Sequence, residues 1–144
     1  MRTIARLLLA ALLLGAGATM FWLHSEPYAV MGALFGVDDA RRETALGTGV
    51  GVIHVALAGA LALSVLLPSR PLRRVVLWMS VIWMLAGLFI WVLMTFVAFG
   101  EWSRGGEDLD LLLVPLGLLL TYAFAAVLAV FADDDEPDAL SQVP

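Results

Sequence analysis

TALGTGVGVIHVALAGALALSVLL, residues 44–67, is apolar from end to end, carries no charge and holds one histidine, His54, near its middle. It is long enough to cross a bilayer as a helix, which takes about 20 apolar residues. On a helical projection Gly47, Gly51, His54, Ala58 and Ala62 fall within one narrow stripe, while Val50, Ile53, Leu57, Leu61 and Ser64 lie on the other face. Gly47 and Gly51 form a G-x-x-x-G pair. Lipid tails are as apolar as leucine, so close backbone approach between small residues supplies packing energy that burial alone does not. The stripe therefore predicts a helix–helix contact with His54 inside it.

The rest of the chain repeats this character. Of its 144 residues, 62% are hydrophobic, and mean hydropathy is +0.96. A soluble domain is nearer 45–50% apolar, so the excess selects the membrane class. Cysteine is absent, which excludes disulfides, thiol catalysis and cysteine-ligated metal centres. The net charge of −5 argues against nucleic acid as a partner, which a basic surface would have to bind.

Three further spans follow from the pattern. Residues 1–24 start with Arg2 and Arg6 and continue into an apolar run. Ala16, Gly17 and Ala18 resemble a signal-peptidase site, but the run goes on through Met20, Phe21, Trp22 and Leu23 to full spanning length, so a retained helix over about 4–24 is expected. Its small stripe, Ala11, Gly15 and Ala18 with Trp22, is expected to pack. Residues 26–36 are apolar but too short to span, and Pro27 suits a first turn; a short interfacial helix fits. Asp38 and Asp39 then precede the second span at 44–67, where negative charge suits a helix start.

Two prolines, Pro68 and Pro71, bracket a tight basic turn with Arg70, Arg73 and Arg74. The third span, about 75–99, is the bulkiest, with Trp83 and Trp91 deep within it and Ser80, Gly87 and Thr95 on the side of Trp91. Gly105 and Gly106 make the next turn. The fourth span, about 109–132, repeats small residues at Gly117, Thr121, Ala125 and Ala129, a second packing ridge. Residues 133–144 open with Asp133, two more aspartates and Glu136, and include two prolines; this acidic tail is expected to be disordered. The expected architecture is thus all-α: a polytopic membrane protein with a four-helix transmembrane bundle in residues 1–132. Five arginines (Arg2, Arg6, Arg70, Arg73, Arg74) against three (Arg41, Arg42, Arg104) place both termini on the cytoplasmic side of the cell membrane.

Ionisable residues at mid-membrane are costly and by default point to function. His54 is the one expected there. The second and fourth spans run in the same direction, and matching depth from their starts at 1.5 Å per residue puts Thr121 and Tyr122 at its level, so one of them is the expected hydrogen-bond partner. Asp110, on the face of Gly117 and Thr121, is a candidate for a vestibule above it. No cofactor is expected. His24 lies about 15 Å from the level of His54, which does not suit a bis-histidine haem, and no metal-ligand spacing surrounds His54. No nucleophile–base–acid set occurs at one depth, so nothing indicates an enzyme. Two readings remain. The first is a non-enzymatic accessory or scaffold subunit, packing with itself or within a larger membrane complex through Gly47, Gly51, Ala58, Gly117, Thr121 and Ala125. The second is a small transporter or proton-linked carrier that uses His54, Thr121, Tyr122 and Asp110. In both, the lipid bilayer is the first partner.

Overall fold

A computed structural model describes residues 1–25, 40–67, 69–106 and 109–133. These form four α-helices: α1 (Arg2–Ser25), α2 (Ala40–Leu66), α3 (Arg70–Ser103) and α4 (Asp110–Asp133). Each is long and apolar enough to cross a membrane, and the chain reads as a small multi-pass membrane protein. The interfacial helix expected at 26–36 and the tail beyond Asp133 lie outside the described residues.

The helices pack in a ring. α1 lies against α2 and α4, and α3 against α2 and α4, with the α1–α2 and α3–α4 pairs the most extensive. α2 and α4 therefore face each other across the bundle axis. The core is formed by Leu9, Leu13 and Met20 of α1, Leu61 of α2, Met84 and Trp91 of α3, and Leu118 and Tyr122 of α4. Large apolar side chains such as Phe89, Phe96, Leu120 and Val130 point outward, as lipid-facing positions do.

Two boundaries extend beyond the sequence reading. α2 begins at Ala40 rather than 44, because Ala, Arg and Glu are good helix formers and continue the helix through the charged segment. α3 runs over 34 residues instead of the 25 of 75–99. Its start is fixed by Pro71, whose missing N–H costs nothing in a first turn. Its end is a Schellman motif: Gly106 N–H donates to the Glu101 carbonyl at 3.2 Å and Gly105 N–H to that of Trp102 at 3.0 Å. Gly105 has φ +91°, a conformation that a Cβ disfavours. The chain turns there because glycine permits it. α4 passes through the buried Pro115 as a single helix.

The small residues divide unequally between contact and lipid. On α2, Gly47, Gly51, His54 and Ala58 are buried as the stripe predicts, but Leu61 and Ser64, assigned to the other face, are buried too, and Ala62 is only half-buried. No side chain fits at Gly47, whose space the His24 ring takes, and a Cβ at Gly51 would stand 3.0 Å from the Phe21 ring. On α1 the expected stripe is overturned: Ala11, Gly15, Ala18 and Trp22 are exposed, and the helix buries Leu9, Leu13, Ala16, Gly17 and Met20 instead. The ridge on α4 also splits. Ala125 and Ala129 are buried, whereas Gly117 is exposed with nothing within 4 Å of a Cβ built there.

Candidate functional site

Among the described residues, the axis of the bundle holds one polar cluster, built from α2, α3 and α4. His54, 1% exposed, projects from α2 toward Tyr122 of α4, also 1% exposed. Its Nε2 is hydrogen-bonded to the Tyr122 hydroxyl across the diagonal of the bundle. Nδ1 lies 2.8 Å from the carbonyl oxygen of Val50, one turn back on α2. Trp83 of α3 brings its indole Nε1 to 3.1 Å from Nδ1 and 3.3 Å from Nε2, its ring nearly perpendicular to the imidazole at 78°. Trp91, a further two turns along α3, is buried in the same core as Tyr122.

The donors and acceptors fix the tautomer. A carbonyl only accepts, so Nδ1 carries the proton and donates it to Val50. Nε2 then has the lone pair and accepts from the Tyr122 O–H. An indole only donates, so Trp83 N–H, which a protonated Nδ1 cannot accept, shares the Nε2 lone pair at 3.3 Å. The result is a chain of hydrogen bonds with one polarity, running from Tyr122 through His54 to the backbone of α2. A second proton, at Nε2, would face the Trp83 N–H and would oblige the tyrosine proton to find another acceptor.

Two glycines make room for this arrangement. A Cβ at Gly17 of α1 would stand 3.0 Å from His54 Cβ and 3.1 Å from the Gly51 carbonyl oxygen. One at Gly87 of α3 would stand 2.7 Å from Cε1 and 2.8 Å from Cζ of Tyr122. Hydrogen at both positions lets the two rings reach the axis without separating the helices.

Of the residues singled out from sequence, His54 and Tyr122 meet and the others do not join them. The Thr121 hydroxyl turns back to the Gly117 carbonyl at 2.9 Å, as a hydroxyl in an apolar helix commonly does. Asp110 is exposed in the first turn of α4, about 18 Å along the helix from Tyr122. Ser80 and Ser64 are buried but bond carbonyls of their own helices, Val76 at 2.9 Å and Leu61 at 2.7 Å. The other histidine, His24, bonds the Met20 carbonyl at 2.8 Å and lies against Gly47, about 10 Å along α2 from the level of His54. Sequence reading missed Trp83, Trp91, Gly17 and Gly87. The signal for Trp83 was present: His54 stands 12 residues before the end of α2 and Trp83 stands 13 after the start of α3, equal depths on either side of one tight turn. Comparison with known proteins returned no significant match to any family model, curated protein or solved structure.

Proposed function

We propose that the chain is a non-enzymatic accessory or scaffold subunit of the cell membrane, and that the His54–Tyr122 cluster is its internal fastener rather than a reaction centre. The observation that carries this reading is the complete occupation of His54 by the protein's own groups: Val50 at one nitrogen, Tyr122 at the other and Trp83 against the edge between them. A ring engaged on every polar atom has nothing left to offer a ligand. The cluster joins α2, α3 and α4, which an apolar interior alone holds with little directional preference.

The competing reading is a proton-linked carrier, favoured by a titratable ring hydrogen-bonded to a phenol deep in the bundle. The two separate in one experiment. Protein reconstituted into liposomes with an internal pH-sensitive dye is given a pH step. A fastener gives no proton flux above that of empty vesicles, and His54→Gln lowers resistance to unfolding by about 1 kcal/mol, near the average for interhelical bonds in membranes. Flux that His54→Gln abolishes while folding is retained would replace this proposal with the carrier.

Both termini are proposed to be cytoplasmic. The first turns of α1 and α3 and the last turn of α4 share one end, where Arg2, Arg6 and Arg73 collect. Positive charge of this kind is retained on the cytoplasmic side. Reporter fusions after Ser69 and after Gly105 should report cytoplasmic and external positions respectively; the reverse result would invert the orientation, and two reports from one side would remove a span.

A further inference from the structure

The hydrogen bonds around His54 differ in what they can survive. Nδ1 gives its proton to the Val50 carbonyl, and Nε2 accepts from the Tyr122 hydroxyl and the Trp83 indole. A proton added at the Nε2 lone pair leaves the Val50 bond in place, since Nδ1 is a donor in both charge states. It reverses the Tyr122 bond, because a phenol oxygen can accept as well as donate. It breaks the Trp83 bond outright: an indole has no lone pair to offer, and two N–H groups then point at each other. α2 thus keeps its bond to α4 and loses its bond to α3.

The bond that is lost crosses the weakest seam. Of the four helix contacts around the ring, α2–α3 is the least extensive, and the half-buried Trp83 closes it over the buried His54. Among the described residues, no carboxylate stands near enough to balance the new charge. α1 presents Gly17 to His54, with His24 about 10 Å and Arg6 about 16 Å along the helix from that level. On α3 the nearest charged group, Arg74, lies about 13 Å along the helix from Trp83. On α4 Tyr122 is the titratable group that faces the ring, and Asp110 and Asp133 stand about 18 and 16 Å along the helix from it. α2 itself carries no other titratable group between Ala45 and Leu66. An imidazolium without a counter-charge is costly between packed helices. We infer that protonation of His54 releases Trp83 and opens the α2–α3 seam, a proton-operated latch that is built into the fastener proposed above and rests on that reading.

Imidazole is the side chain that ordinarily changes charge near neutral pH, so the latch is tested by acidification from about pH 8 to about pH 4.5. The chain has no cysteine, so an introduced pair carries spin labels alone. Gly49→Cys on α2, where nothing lies within 4 Å of a Cβ, is paired with Phe89→Cys at an exposed position of α3. Both stand beyond the level of His54 and Trp83, on the side away from the turn at Pro68. In nanodiscs of phosphatidylcholine, double electron–electron resonance on the full chain should show this distance lengthening by about 2 Å on acidification, the scale of helix shifts between packed states, and recovering at the starting pH. Gly15→Cys paired with Gly49→Cys, across α1 and α2, should hold its distance. His54→Gln has no proton to take up and should abolish the response. Tyr122→Phe removes the oxygen that receives the new N–H, so its midpoint should fall by about one pH unit. An unmoved α2–α3 distance, a response that survives in His54→Gln, equal lengthening of both pairs, or a Tyr122→Phe midpoint at or above that of the unaltered chain overturns the latch. The fastener is judged separately, by resistance to unfolding at about pH 8. If His54→Gln leaves that resistance unchanged, the fastener fails and the latch with it; an intact fastener beside an unmoved seam overturns the latch alone.

Discussion

Gly17→Leu is expected to separate α1 from α2 and to cost at least about 3 kcal/mol, the upper part of the range for overpacked interiors. The reason is what a side chain there would meet. Two of the three nearest atoms are the Cβ of His54 and the carbonyl oxygen of Gly51, at 3.0 and 3.1 Å. Neither is the free end of a flexible side chain. Room is made only if the helices move apart, and that movement also draws His54 off the bundle axis. Gly15→Leu, two residues earlier, is the control: nothing lies within 4 Å of a Cβ there, and the change should stay within about 0.5 kcal/mol. Gly17→Ala should fall between them. Unfolding in sodium dodecyl sulfate, followed by tryptophan fluorescence, ranks the three. Equal midpoints for Gly15→Leu and Gly17→Leu would show that α1 does not approach α2 at Gly17.

Gly87→Ala is the second large effect expected. Its Cβ would lie 2.7 Å from the Tyr122 ring, closer than carbon atoms approach. Either the ring tilts away, taking its hydroxyl from His54, or α3 and α4 part. Both routes should cost about 1–3 kcal/mol. A double-mutant cycle shows whether the hydrogen bond is what was lost. Tyr122→Phe alone should cost about 0.6–1.7 kcal/mol, between the average and the largest value measured for such bonds in a membrane. In the Gly87→Ala background it should cost much less, because the bond is already broken. An identical cost in both backgrounds would mean that the tyrosine keeps its partner and the glycine has no part in placing it.

The four spans were legible because length and hydropathy alone define them, and lipid imposes both. Depth was legible as well: a constant rise per residue brought Tyr122 to the level of His54. Direction around each helix was not. Thr121 and Tyr122 stand next to each other at the same depth, but about 100° apart on the helix, and only one faces the axis. In a soluble helix the polar face would have told them apart. Here α4 is apolar all round, so its sequence carries no such contrast. The same loss of contrast explains α1, where the stripe of Ala11, Gly15 and Ala18 is exposed on the outside of the bundle while Gly17, embedded in what looks like a processing site, makes the close contact. Small residues are compatible with either environment. Trp83 is a different case. Its depth follows from its distance past the second turn, but in an apolar span the sequence shows a tryptophan as bulk and not as a donor.

The unequal lengths of the helices set a relation between the protein and the bilayer around it. α1 and α4 span 24 residues each, about 36 Å, whereas α3 spans 34, about 51 Å. A hydrocarbon core is about 30 Å thick and the whole bilayer about 40–45 Å. The apolar part of α3, residues 75–99, is about 38 Å long, and the charged ends beyond it, with Arg70, Arg73 and Arg74 at one and Glu101 at the other, belong among the headgroups. That apolar length exceeds a hydrocarbon core by about 8 Å, and such a mismatch costs a fraction of a kcal/mol per ångström unless the helix leans. Because α3 also carries Trp83 and Trp91, its lean is coupled to the geometry at the bundle axis.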